Sequence, residues 1–195
     1  MTQGTLQELV EGIFAGKLVS FPTDTVPALA TLPSKAQLIF AAKQRSQDKP
    51  LILMAADATD LWPYVSGSAA ELLVWQQMAA TYWPGALTMV LPARKDRVPK
   101  EINLASPDTV GLRVPNHCVT RAILARTGAL ATTSANKSGE PPLQTMGEIK
   151  AAFPDVLTLS LEATEPPASA IPSTVIKWIS NNWQILRSGA VKLES

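Results

Sequence analysis

The chain has 195 residues, 46% of them hydrophobic, with a net charge of +1 and only 17% charged residues. One good core is affordable at that size, so one domain over residues 1–195 is expected. The near-neutral balance argues against a protein whose main work is coating nucleic acid, and a single Cys118 with a single His117 excludes a disulfide framework and the usual zinc cluster.

The amino terminus, Met1-Thr2-Gln3-Gly4, lacks a basic segment followed by an apolar core, so no signal peptide is visible. No apolar run reaches membrane-spanning length. A cytoplasmic, soluble protein is the expectation.

Leu6, Leu9, Val10, Ile13 and Phe14 fall at helical spacing, and Gly16 supplies a stop. Leu18 to Phe21 reads as a buried strand ending at Pro22. Ser34 and Gln37 stand at capping-box spacing and predict a helix through about Lys43. Leu51 to Met54 reads as a second buried strand. Ser68 and Glu71 repeat the capping spacing before a longer helix that stops near Trp83-Pro84-Gly85.

Further strands are predicted over Leu87–Leu91 and Thr109–Val114, and a helix over Cys118–Arg126. Ala129 to Ala131 forms a short strand, followed by a polar loop. Thr145 and Glu148 cap another helix, and Val156 to Leu159 is a strand. Val175–Trp178 and Trp183–Leu186 predict a hairpin around Asn181-Asn182. Glu162 to Pro172, rich in Pro, Ala and Ser, reads as a connector. Strands and helices mix without a strict βαβ period, which predicts an α/β fold with a twisted mixed sheet and flanking helices.

The most informative stretch is Thr132-Thr133-Ser134-Ala135-Asn136-Lys137-Ser138-Gly139, with four hydroxyls and one amide. It offers no apolar face, so its polar groups must bond backbone, water or a ligand. A hydroxyl-rich turn at a strand's carboxyl end suits an anion such as phosphate. Pro22-Thr23-Asp24-Thr25, after the first strand, gathers short polar side chains on a prolyl turn, although taken alone a strand-ending turn with a helix cap is the plainer account.

Lys43, Arg45 and Lys49 lie within seven residues, between a helix end and a buried strand. Cations at a helix carboxyl end favour its dipole. The alternative is a triphosphate clamp, with the planar Arg fork and compact Lys charges on phosphate oxygens. In the strand Thr109-Val110-Gly111-Leu112-Arg113, alternation places Thr109, Gly111 and Arg113 on one face and Val110 and Leu112 on the other. Arg113 reads either as an edge-strand residue in solvent or as a carboxylate anchor. Ser173 and Arg187 flank the late hairpin and are expected side by side.

His117 and Cys118 are sequence neighbours whose side chains need not meet, so a Cys–His nucleophile is not expected. The five Trp read as core or rim packing. Neither G-x-G-x-x-G nor a Walker loop occurs. Asp24 is the only acid inside a motif, which gives a carboxylate-pair hydrolase little support.

Eight motifs together resemble the YrdC-type threonylcarbamoyl-AMP synthase family in its short form. They are Pro22-Thr23-Asp24-Thr25, Lys43-Gln44-Arg45, Lys49-Pro50-Leu51, Trp83-Pro84-Gly85, Val110-Gly111-Leu112-Arg113-Val114-Pro115, Thr133 to Gly139, Pro172-Ser173-Thr174-Val175 and Ile185-Leu186-Arg187-Ser188-Gly189. The resemblance implies a YrdC-like sheet with a concave, positively lined cavity. It implies condensation of L-threonine, bicarbonate and ATP to threonylcarbamoyl-AMP and pyrophosphate, for the threonylcarbamoyladenosine modification of tRNA by a separate transferase complex.

On that resemblance, Thr25, Arg113, Thr132 and Ser173 would hold threonine. Arg45, Lys49, Thr109, Ser134, Asn136 and Arg187 would hold ATP, with Lys43, Arg45 and Lys49 as the catalytic cations. Mg²⁺ would come bound to ATP, without a dedicated protein cage. The chain departs from the family at Val26-Pro27-Ala28-Leu29-Ala30, which lacks an aromatic and two glycines. It also departs at Met54, where many members have His, and at Pro142, where a Ser is common. Two other functions are weighed against the synthase: a module holding double-stranded RNA, and a paralogue that keeps the nucleotide site without making the adenylate.

Overall fold

The computed structural model describes residues 3–160 and 170–193, so most of the predicted connector lies outside the described residues. Ten strands form one mixed sheet: β1 (Gln3–Gly4), β2 (Val19–Phe21), β3 (Ala28–Thr31), β4 (Ile52–Met54), β5 (Leu87–Pro92), β6 (Thr109–Arg113), β7 (Leu130–Ser134), β8 (Leu157–Leu159), β9 (Thr174–Ile179) and β10 (Asn182–Arg187). Their spatial order is β1-β8-β2-β3-β7-β4-β6-β5-β9-β10. The helices are α1 (Leu6–Phe14), α2 (Gln37–Lys43), α3 (Ala69–Tyr82), α4 (Cys118–Thr127) and α5 (Met146–Ala152).

Capping residues account for several helix starts. Thr5 with Glu8, Ser68 with Glu71 and Thr145 with Glu148 form reciprocal capping boxes on α1, α3 and α5. The predicted Ser34–Gln37 box does not form. Pro33–Lys35 winds as a 3-10 turn instead, and α2 starts after Ala36 with no side-chain cap. Proline at the first position of that turn fixes the entry before Ser34 can act as a cap. On α1, Leu9, Val10 and Ile13 are buried as predicted, whereas Phe14 is 58% exposed.

Register places alternate residues on two faces. Leu29, Ala131, Leu53, Leu112, Met89 and Ile176 line one face across the sheet. This face packs against α2, α3 and α5 through Ile39, Phe40, Trp75, Ala79, Met146 and Ile149. On the other face, α1 and α4 cover Val19, Phe21, Ala28, Ala30 and Leu130. That cover ends at β4. Ile52, Gly111, Thr88, Val90, Val175 and Lys177 continue the same face and line a cavity instead.

Strand β3 was not predicted. Its run of Ala28-Leu29-Ala30-Thr31 follows Pro27 and lacks β-branched residues before Thr31, so its local strand signal is weak. It forms because β2 and β7 offer hydrogen-bonding edges on both sides. The late hairpin turns on Ser180 and Asn181, both at positive φ, so Asn182 already belongs to β10. Trp75 and Trp83 are buried, while Trp62 stacks on Trp83 and Trp178 meets Trp75 and Trp183 edge-on. The tryptophans therefore pack as the sequence predicted.

Candidate active site

The uncovered half of the sheet face forms a cavity of about 610 Å³, within the usual range for small-molecule sites. Thr25, Arg45, Lys49, Thr109, Arg113, Thr132, Ser134, Asn136, Ser173 and Arg187 all line it. Segments that run from Thr25 to Arg187 in the sequence thus reach one hollow. Thr109, Gly111 and Arg113 face the cavity while Val110 and Leu112 are fully buried in the core, as alternation requires.

Arg113 anchors one end. It is 3% exposed, so the reading of an edge-strand residue in solvent is corrected: β6 lies inside the sheet, between β4 and β5. Its Nε donates to the Gly85 carbonyl at 3.1 Å, and its two terminal nitrogens donate to Thr25 Oγ1 at 2.8 Å and Asp24 Oδ1 at 2.6 Å. The prolyl turn is therefore the seat of a guanidinium. Burial lowers the Arg113 pKa, the Asp24 charge and hydrogen bond oppose that, and Arg187 adds to the lowering. Two guanidinium groups thus act on the same end of the cavity.

Ser173 and Arg187 meet as the hairpin predicted. Arg187 donates to the Ser173 carbonyl at 2.7 and 3.2 Å and to Ser173 Oγ at 3.3 Å. Gly189 makes this approach possible, because a Cβ there would stand 2.3 Å from the Pro172 carbonyl oxygen and 2.5 Å from the Thr174 nitrogen. The Ser173 hydroxyl pairs with Thr88 at 2.8 Å.

Arg45 and Lys49 also line the cavity, on the segment that leaves α2. Arg45 donates to Thr133 Oγ1 at 3.3 Å and to the Pro50 carbonyl at 3.1 Å, while its Nε is buried without a protein partner. Burial lowers the pKa of Arg45. Lys49 Nζ reaches Ser138 Oγ at 3.4 Å. A guanidinium with one buried N–H unclaimed, beside a second cation, is suited to phosphate oxygens.

The hydroxyl-rich stretch is only partly a loop. Thr132, Thr133 and Ser134 complete β7, paired with β3 on one side and, at Thr132, with β4 on the other. The stretch also has an apolar anchor, because Ala135 is fully buried beside Leu29 and Met146. Asn136 is held on all sides: its Oδ1 accepts from Ser134 Oγ at 2.6 Å and Lys43 Nζ at 3.0 Å, and its Nδ2 donates to the Lys137 and Glu140 carbonyls.

Lys43 is placed differently from the sequence reading. It is 1% exposed and is not among the residues lining the cavity. Its Nζ donates to the Ser134 carbonyl and to Asn136, so it stands behind the wall and fixes the loop. Burial, helped by the charges of Arg45 and Lys49, lowers its pKa to about 7. The unfolded chain therefore binds more protons between about pH 7 and the ordinary lysine range near 10.4. Stability contributed through this group rises with pH across that window and is lowest below it. Urea unfolding at pH 7 and pH 10 should show a larger gain for the native chain than for Lys43→Met. Equal gains would refute the assignment.

Sequence reasoning missed Thr88, Asn103, Ser106 and Glu140, all of which line the cavity, as does Thr133 of the hydroxyl-rich stretch. Asn103 Nδ2 donates to Thr109 Oγ1 at 3.0 Å, and Thr109 Oγ1 donates to the Ser106 carbonyl at 3.0 Å. Thr88 was legible by alternation, since Leu87, Met89 and Leu91 are the buried face of β5. Asn103 and Ser106 sit in an irregular segment and carried no periodic signal. His117 caps α4 by accepting from the Thr120 N–H, and Cys118 is exposed, consistent with no nucleophilic pair.

The Sua5_yciO_yrdC family model, described as telomere recombination, matches residues 11–189. A threonylcarbamoyl-AMP synthase of Idiomarina loihiensis is 33% identical over 177 residues, covering 89% of this chain and 92% of that protein. One from Bacillus subtilis is 32% identical over 182 residues, covering 91% of this chain and 51% of that protein. Among solved structures, P. abyssi Sua5 complexed with L-threonine superposes with a TM-score of 0.83 at 28% identity, over 96% of this chain and 56% of that one. The chain thus spans about half the length of those two larger relatives. E. coli YciO gives a TM-score of 0.80 at 22% identity, over 96% and 90%, and shows the fold alone. No helix among the described residues is long and apolar enough to cross a membrane. With the motifs in one cavity and the match running nearly end to end, the chain belongs to the Sua5/YciO/YrdC family.

Proposed function

We propose that the chain condenses L-threonine, bicarbonate and ATP to threonylcarbamoyl-AMP and pyrophosphate. The observation that carries this reading is one cavity holding two cationic regions, Arg113 with Arg187 and Arg45 with Lys49. The threonine complex of the Sua5 relative and the names of the sequence relatives support it.

The threonine carboxylate would bind at the Arg113 end, with Thr25, Thr132 and Ser173 around it. The triphosphate would bind along Arg45, Lys49 and Ser134, and Thr109 and Arg187 would border the nucleotide. Asn136 acts by shaping this wall, since its amide is already fully used. Lys43 acts through the same wall.

The threonine amine attacks the bicarbonate carbon, and loss of water leaves a carbamate. A carbamate oxygen then attacks the α-phosphorus and pyrophosphate departs with the electron pair of the broken bond. No protein nucleophile is needed. The enzyme contributes positioning and fixed positive charge where the phosphoryl oxygens gain negative charge.

Glu140 is the one carboxylate among the described residues lining the cavity, a hard oxygen donor of the kind Mg²⁺ takes, and the triphosphate itself would supply the ion's other ligands. When bound, Mg²⁺ would neutralise phosphate charge. The adenylate would pass to a separate tRNA-modifying transferase complex in the cytoplasm.

The purified chain, given ATP, threonine and bicarbonate, should release pyrophosphate and form an adenylate with the mass of threonylcarbamoyl-AMP. Leaving out threonine or bicarbonate should abolish both. Pyrophosphate release that ignores both omissions would sink the reading.

A further inference from the structure

A second cavity, of about 190 Å³, shares no lining residue with the first. The topology explains its place. Strands β4 and β6 are adjacent and parallel. The chain leaves β4 towards α3, on one face of the sheet, and leaves β6 towards α4, on the other. Connections that diverge in this way open a crevice outside the carboxyl ends of the two strands, a preferred place for ligands in open α/β sheets. Asp57, just beyond β4, and Val114, just beyond β6, line it.

The lining divides by chemistry. Ala79, Trp83 and Val114 are buried, and Trp62 stacks on Trp83 with ring centroids 6.0 Å apart. Pro84 completes this apolar wall. The charged groups stand nearer to solvent, since Asp57 is exposed and Arg121 half-buried. Arg121 Nε donates to the Ala56 carbonyl at 3.0 Å, and among the described residues its two terminal nitrogens have no partner. Asp57 Oδ1 accepts from the Thr59 N–H at 2.9 Å and the Thr59 hydroxyl at 2.8 Å, which leaves Oδ2 open. Those bonds, and to a smaller degree the Arg121 charge, lower the Asp57 pKa, yet the two side chains form no ion pair.

A free guanidinium fork and a free carboxylate oxygen thus flank an indole-lined hollow. The fork matches a carboxylate, the Asp57 oxygen accepts from an ammonium, and the indoles take an apolar side chain. A zwitterion with an apolar side chain satisfies all three. The volume lies below the roughly 300 Å³ at which larger small-molecule sites begin, which suits a single amino acid rather than a nucleotide.

We infer that the crevice between β4, β6, α3 and α4 is a second small-molecule site that takes an apolar α-amino acid, its carboxylate on Arg121, its ammonium on Asp57 and its side chain on Trp62 and Trp83. This goes beyond the synthase reading and does not depend on it.

Calorimetry of the full chain with L-leucine as the probe tests the site, beside isocaproate, which lacks the ammonium, and isoamylamine, which lacks the carboxylate. Leucine should bind, and each analogue should bind at least about tenfold more weakly, because each loses a charge-assisted contact. Arg121→Gln should weaken leucine binding by a similar factor. Ala80→Leu fills the crevice from an exposed position of α3 and should abolish it. Circular dichroism identifies which variant keeps the native fold. No leucine binding to the native chain would overturn the inference. Leucine affinity unchanged in either folded variant would do so too, by placing the ligand elsewhere. Isocaproate binding as tightly as leucine would overturn the amino-acid assignment.

Discussion

Replacement of Arg113 by alanine is expected to abolish threonine binding and to cost about 3 kcal/mol of stability, the low end for breaking a buried ion pair. The physical reason is the number of groups that one side chain holds. Arg113 ties the Asp24 carboxylate, the Thr25 hydroxyl and the Gly85 carbonyl together from three separate segments. Its removal leaves Asp24, whose side chain is only 15% exposed, without its counter-charge. Lysine at the same place would restore a charge near Asp24 but cannot span the three acceptors. Arg113→Lys should therefore recover part of the stability and little of the binding. Urea unfolding and threonine calorimetry on both variants separate the two effects. A loss below about 1 kcal/mol in Arg113→Ala would show that the ion pair is not structural.

Arg45→Ala is expected to lower turnover by about 10²–10³-fold, as does loss of one preorganised donor to a charged transition state. Stability should change by no more than about 1 kcal/mol, because the bonds lost to Thr133 and Pro50 are single, neutral-acceptor contacts on a half-buried side chain. Pyrophosphate release at saturating ATP, beside urea unfolding, gives both quantities. Full turnover in the variant would remove the triphosphate from the Arg45 region. The contrast between the two arginines is itself informative: Arg113 has three protein acceptors, whereas Arg45 Nε has none.

Most strands and helices were legible from the chain alone, because their burial patterns are local. Alternation in Thr109–Arg113 assigned Gly111 and Arg113 to the polar face before any neighbour was known, and the hairpin placed Ser173 against Arg187. The motifs also determined the residue chemistry of the cavity, since hydroxyls and cations cluster in short runs.

Which of these residues touch was set by long-range packing. Thr25 reaches Arg113 across 88 positions and Lys43 reaches Asn136 across 93, contacts fixed by the order of strands in the sheet. That order depends on pairing energies between distant segments, which no local pattern encodes. The same reason explains the misplacements. Ala28–Thr31 becomes a strand only because edges of β2 and β7 await it, and Lys43 turns from the cavity to the Ser134–Asn136 loop because α2 packs behind that wall. The cavity exists because two helices cover half of a wide sheet face and leave the other half bare, a fact of packing area that no residue carries alone.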